Sequence, residues 1–352
     1  MDAPRRPGRP GRRRGATVAT HDDISARLVG LCACLREAVL PVLGSHAARG
    51  HAGTAVGGDV TFGIDERAES VLVAYMREHL PDWAFYSEDG GLQGAADPEL
   101  VLIVDPVDGT RPAAAGFEAA CVSVAAVPPL PAPTMGDVVA GVIQEIKTGD
   151  LFVARRGAGF EARTAAGAPL PFAPNPACDL EQLFWTLGFR GRPAVILAAV
   201  LAELIDTSSV GGAVFDIGSA TYSITRILTG QLDAYVDIGP AIIAAHPWTE
   251  AEFRRVGRGH VLCNTPYDLA AACLLLREAG LPVSDADGQP LDDRPVLGSD
   301  MRHQMACIAA ANRDLHAALV AAVRRGIAGL RREVSAAARP LAAAPRNQEG
   351  QP

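Results

Sequence analysis

Residues 100–110 read LVLIVDPVDGT, an apolar run that ends in a turn carrying two aspartates. Leu100, Val101, Leu102, Ile103 and Val104 form an unbroken run of apolar residues, the pattern of a strand covered on both faces. The run ends in Asp105, and Pro106, Val107, Asp108 and Gly109 then turn the chain toward Thr110. Two carboxylates at the end of a buried strand, separated by a turn, can converge on one hard cation, because Mg²⁺ takes oxygen ligands at about 2.0 to 2.1 Å. Gly109 and Thr110 add backbone N–H groups at an expected helix start, a place that holds phosphate. An ordinary surface turn uses the same residue types, so the motif needs corroboration from the rest of the chain.

The chain has 352 residues, 49% of them apolar, enough for a large core and about two domains. It carries 32 Lys and Arg against 40 Asp and Glu, and six of the arginines fall within the first fourteen residues, so the body is more acidic than the net charge of −8. An acidic body argues against a partner bound through nucleic-acid phosphates and leaves carboxylates for metal. No apolar run reaches the 18 residues of a membrane span, and the basic start lacks the apolar middle of a signal peptide. The seven cysteines form no CxxC pair and sit mostly among apolar neighbours, as reduced thiols of a cytoplasmic protein would.

Ordered structure is expected from residue 21, between a disordered basic tail, 1–20, and a disordered tail, 337–352. Ile24, Leu28, Leu31, Leu35, Val39 and Leu43 recur at helical spacing behind Asp22 and Asp23, with Pro41 shortening the end. A second helix is expected from Ile64 to near Pro81. WAFYS, LVLIVD, CVSVAAV, DVVAGVIQEI, DLFVARR and GAGFEA then read as strands with few helices between them, hence an antiparallel sheet. Lys147, with Glu145 and Asp150, reads as a solvated hairpin tip. Pro171, Pro174 and Pro176 suggest a boundary near 175, giving an α+β domain over 21–175 and an α/β domain over 176–336. Residues 240–260 read as a surface insertion or a loop over the site, and 301–336 as an Ala-rich helix or pair.

Other carboxylates punctuate the first half. Glu88 and Asp89 follow the strand WAFYS, and Asp59 and Asp65 lie in GGDVTFGIDERAES, with Asp65 where the second helix opens. The order of these segments, with VDPVDGT and PYDLAAACLLLREAG, resembles the inositol monophosphatase superfamily of Mg²⁺-dependent, lithium-sensitive phosphatases. VARRGAGFEA and GSATYSITRILTGQLDAYVDI are similar to its hairpin and its second-domain helix–strand pair, and the resemblance covers about residues 22 to 325. Tyr267 stands where the second signature usually has Trp.

The resemblance implies a layered αβαβα sugar-phosphatase fold with an antiparallel first sheet and a mixed second one. It implies Mg²⁺ held by Glu88, Asp105 and the Val107 carbonyl, and a second ion held by Asp105, Asp108 and Asp268. Asp65 and Thr110 would orient the attacking water with Glu88 beside them, and the substrate would lie against Asp108, Gly109, Thr110 and Asp268. The implied partner is a small phosphorylated substrate, with no nucleic acid and no membrane; a homodimer is the family's common state. The family's inositol-gripping Glu has no counterpart in HVLCNTPY, and RPAAAGF replaces a Thr-Asn-Phe type segment, leaving inositol phosphate, fructose 1,6-bisphosphate and 3′-phosphoadenosine 5′-phosphate all open. Arg111 faces an extra phosphate, a ring hydroxyl or solvent, and His246, Trp248, Asn264 and Thr265 are further pocket candidates. A haloacid-dehalogenase-type DxDGT motif is excluded by the two residues between Asp105 and Asp108, a serine hydrolase by the lack of GxSxG, and a dinucleotide binder by the lack of GxGxxG. A non-catalytic phospho-ligand-binding relative is the remaining alternative.

Overall fold

The computed structural model describes residues 21–332; both expected tails lie outside the described residues. Helix α1 (His21–Val39) passes at Pro41 into a 3₁₀ turn, Leu40–Val42, because proline cannot donate to the helical ladder. A small hairpin, β1 (His51–Thr54) and β2 (Val60–Phe62), leads into α2 (Gly63–His79). The first large sheet follows as β3 (Ala84–Ser87), β4 (Gly91–Gly94), β5 (Val101–Asp108), β6 (Cys121–Val127), β7 (Ala140–Glu145), β8 (Leu151–Arg155) and β9 (Gly159–Arg163), with α3 (Thr110–Ala115) after β5. Its order is β4-β3-β5-β6-β7-β8-β9. Every pairing is antiparallel except β3 with β5, because the Gly-rich β4 folds back on one edge of β3 and β5 returns on the other.

The second half supplies β10 (Phe184–Leu187), α4 (Ala194–Thr207), β11 (Ala213–Phe215), α5 (Ala220–Leu228) and β12 (Ala234–Asp237). Then come α6 (Gly239–Ala245), α7 (Glu250–Val256), α8 (Pro266–Glu278), β13 (Val283–Ser284), β14 (Cys307–Ala310) and α9 (Arg313–Gly329). The mixed sheet runs β11-β10-β12-β14-β13. Residues 240–260, read as a surface insertion or a loop over the site, hold two short helices around a 3₁₀ turn and end in a turn at 257–260. One expectation changes. The Ala-rich stretch after Met301 contains β14, whose CIAA has only one β-branched residue and owes its strand to pairing on both sides, with β12 and β13.

Alternation along the strands builds the layers. In β5, Leu102 and Val104 join the core under α1 and α2, whereas Val101 and Ile103 face a second core shared with α5 and α8. That second core also includes Tyr235, Cys307 and Ala309 of the other sheet, so α5 and α8 form the layer between the sheets. A third core packs α4 and α9 on the outer face around the fully buried Trp185. The order is therefore αβαβα. Helix α8 comes very close to β7: a side chain at Gly141 would reach within 3.0 Å of the Ala271 Cα. The small residues Ala270, Ala271 and Ala272 make that approach possible.

Candidate active site

Asp105 keeps the register of Val101 and Ile103 and so points into the middle layer, toward α8. Asp108, three residues on, would face the opposite side of a regular strand. The pairing instead shifts from Asp105↔Ser123 to Asp108↔Cys121, three steps on β5 against two on β6. This one-residue bulge at Pro106 and Val107 turns both carboxylates the same way. Proline fits there because it has no N–H to give the ladder. Asp105 Oδ1 accepts the Val107 N–H at 3.0 Å, which stiffens the turn. Gly109 sits at φ 93°, and a side chain on it would meet the Ala119 carbonyl at 2.4 Å.

Asp268 arrives from the other half at the start of α8. Its Oδ2 accepts the Thr265 N–H at 2.6 Å and the Thr265 hydroxyl at 2.9 Å, a helix cap that occupies one carboxylate oxygen. Asp65 does the same at the start of α2: Oδ2 takes the Phe62 N–H at 2.9 Å, and Oδ1 accepts the Thr110 hydroxyl at 2.9 Å. Asp108 is held from the second half by Ser219 Oγ at 2.8 Å, by the Thr221 N–H at 2.7 Å and by the Thr221 hydroxyl.

Oxygens of Asp105, Asp108 and Asp268 lie within 4.8 Å of one another. A cleft of about 270 Å³ is lined by these three with Glu88, Val107, Gly109 and Thr110, bringing together every expected site residue but Asp65, which touches the cleft through Thr110. Burial pushes the Glu88 and Asp105 carboxyls well up, and the neighbouring acids add to this. Burial and the Asp108 charge raise Asp268 to about 7, and burial raises Asp65 to about 7. Asp108 is also raised by burial, against the hydrogen bonds from Thr221 and Ser219. An all-oxygen set of mutually repelling carboxylates, with Asp105 and Asp108 buried and Glu88 and Asp268 half-buried, fits a hard divalent cation.

The other candidates separate. His246 bonds the Ile327 carbonyl and Trp248 lies against Arg332, neither lining the cleft. Asn264 bonds Tyr235, and Thr265 caps α8. Lys147 is exposed and pairs with Glu118, as a hairpin tip would, but Glu145 is fully buried on Arg226. Arg111 neither reaches freely into solvent nor stands alone: it meets Asp59 at 3.2 Å, and Arg190 binds the other oxygen of that carboxylate. Sequence reasoning missed Arg190, Ser219 and Thr221. The LGFRGRP turn after β10 was a usable sign for Arg190, since a Gly-flanked cation at a strand end is well placed for a site. The buried Arg192 braces that turn, donating to the Arg190 carbonyl and to Asp237. Asp237→Ala is expected to lower unfolding stability by about 3–5 kcal/mol in urea titration, because it strands Arg192 without its partner.

Among the described residues no helix is long and apolar enough to cross a membrane. Residues 27–328 match the model of the inositol monophosphatase family. An inositol-1-monophosphatase of Mesorhizobium japonicum is 27% identical over 266 residues, covering 74% of this chain and 85% of the relative. A Nus factor SuhB of Xylella fastidiosa is 29% identical over 243 residues, covering 67% and 74%. The solved Thermotoga maritima IMPase superposes with a TM-score of 0.62 at 18% identity, over 89% of this chain and 99% of that one, a likeness of fold. With the family model spanning both sheets and the cleft between them, the chain belongs to the inositol monophosphatase family.

Proposed function

We propose that the chain hydrolyses a small phosphate monoester in the cleft at Asp105, using Mg²⁺. The observation behind this reading is the convergence of Asp105, Asp108 and Asp268 beside the Asp65–Thr110 pair. Glu88, Asp105 and the Val107 carbonyl would hold one ion, and Asp105, Asp108 and Asp268 a second. Bound Mg²⁺ would supply an activated water and neutralise charge on the attacking and leaving oxygens.

The chain's own residues handle position and protons. The Thr110 oxygen accepts a hydrogen bond from the attacking water while its own proton points at Asp65 Oδ1. Asp65, near 7, is matched to taking up that proton at neutral pH. The N–H groups of Gly109 and Thr110 are available to the substrate phosphate as it gains charge. Helix caps hold Asp65 and Asp268 by one oxygen each, so the other oxygen is fixed in direction before substrate arrives.

The test is phosphate release from inositol phosphate, sugar phosphates and 3′-phosphoadenosine 5′-phosphate, with Mg²⁺, with chelator and with lithium. Mg²⁺-dependent release, stopped by chelator, is expected. Silence across the panel in folded protein overturns the reading. Thr110→Val preserves shape and removes the proton path, and kcat is expected to fall about 10²-fold with little change in KM; a normal kcat would remove Thr110 from the mechanism. A second reading, a partner or phospho-ligand binder without turnover, draws on the relative named Nus factor SuhB. The intact Asp65–Thr110 pair favours turnover, since binding alone needs no proton acceptor.

The small phosphorylated substrate and a cytoplasmic setting form part of the same proposal.

A further inference from the structure

A second cavity, of about 530 Å³, opens beside the carboxylate cleft and shares Asp59, Arg111 and Arg190 with it. Its character is opposite. Arg111, Arg190 and Arg258 line it with His51 and His260, and Asp59 is the one carboxylate among the lining residues. Asp59 bridges Arg111 and Arg190 and holds both in place, while the Glu88 and Asp268 charges act on Arg190 from the carboxylate cleft. Both arginine side chains remain more than a third exposed. Although burial pushes the Asp59 carboxyl up, the Arg190 and Arg111 charges hold it below its ordinary range, so it stays ionised and the clamp persists at neutral pH.

Arg258 completes the set. It is exposed, and its side chain makes no hydrogen bond or ion pair among the described residues. It is also the one non-glycine residue among them with a positive φ, 54°, a backbone state that arginine adopts at some energetic cost. An unpaired cation held in a strained turn at the mouth of a basic cavity is placed for a ligand.

We infer that the substrate is a phosphate monoester bearing a second phosphate on its leaving group, which Arg111, Arg190 and Arg258 hold in this second cavity while the first phosphate lies in the carboxylate cleft. The inference rests on the phosphatase reading above and narrows its substrate class. Planar guanidiniums suit phosphate, donating paired N–H groups to its oxygens. Asp59 blocks neither arginine completely, because each guanidinium has five donors. Two substrate types carry the required chemistry, sugar bisphosphates and nucleoside bisphosphates. The cavity's Phe62 ring already has the Arg111 guanidinium over it, 5.3 Å from its centroid, and His51 edge-on at 5.3 Å, which leaves little room for a stacked base and favours the sugar.

The experiment compares kcat/KM for fructose 1,6-bisphosphate with fructose 1-phosphate and fructose 6-phosphate, and for adenosine 3′,5′-bisphosphate with adenosine 5′-phosphate, all in Mg²⁺. A preference of at least about tenfold for the bisphosphate is expected in one of the two sets, larger in the sugar set. Arg258→Asn, a residue that tolerates the left-handed turn, and Arg190→Gln should each cut that ratio about fivefold or more. Release from monophosphates with no bisphosphate preference in either set overturns the inference and leaves the phosphatase reading standing. Absence of release from all five and from inositol phosphate overturns the phosphatase reading instead. Calorimetric titration of the same compounds in Mg²⁺ then decides the inference: tighter bisphosphate binding that weakens in Arg258→Asn supports it, and equal binding overturns it.

Discussion

Asp105→Asn is expected to lower phosphate release at saturating substrate and Mg²⁺ by roughly 10²- to 10³-fold. The residue is proposed to touch both ions, so no neighbouring carboxylate replaces it. The same substitution should raise the melting temperature of chelated protein by a few degrees, the usual scale for about 1–2 kcal/mol in a chain of this size. The reason lies in the site. Asp105 is buried and its negative form is opposed by Glu88, Asp108 and Asp268. Asparagine retains an oxygen for the Val107 N–H while removing that repulsion. A gain in stability with a loss of turnover identifies a carboxylate kept for chemistry rather than for folding. Near-normal release would reject the metal role, and a lower melting temperature without metal would make Asp105 a structural residue.

The chelated protein should be less stable at pH 8 than at pH 5.5. Asp65 and Asp268 lie near 7 in the folded chain, and Glu88, Asp105 and Asp108 are also raised. In the unfolded chain such groups titrate near 4. Between about pH 4 and pH 7 the folded protein therefore binds more protons, so stability is highest below the unfolded value and declines as pH rises through the folded values. Mg²⁺ should reverse the trend, because it binds the ionised form that protons oppose. At a hundred times its dissociation constant a ligand adds about 2.7 kcal/mol, and most of that gain should appear above pH 7. Melting curves across this range, with chelator and with Mg²⁺, provide the check. A chelated protein whose melting temperature rises with pH between 5.5 and 8 would show that these carboxylates are compensated by their surroundings.

Much of the framework was legible because local signals and tertiary packing agree. The apolar run before Asp105, the helical spacing from Ile24 and the alternation in CVSVAAV each describe the environment the residue actually meets. The carboxylates of the cleft were legible for a similar reason, each standing at an element end where a turn or cap shows in the sequence. What escaped was set by partners distant along the chain. CIAA becomes a strand through neighbours on both edges, and the parallel β3–β5 pair follows from the path of a Gly-rich edge strand. Glu145 reads as a solvated neighbour of Lys147 until Arg226, 81 residues on, closes over it. The Ser219–Thr221 grip on Asp108 and the Arg190–Asp59–Arg111 clamp likewise join segments with no local mark of their meeting.

The bulge at Pro106 and Val107 makes the length of DPVD as demanding as its composition. Deleting either residue would restore an even ladder between β5 and β6 with both aspartates still on one face, two residues and about 7 Å apart, and would remove the turn in which Asp105 Oδ1 accepts the Val107 N–H. The shortened chain would keep its sheet and lose the close approach of the two carboxylates that a shared cation needs. Side-chain exchanges at positions 106 and 107 are thus open to variation in a way that a change in their number is not.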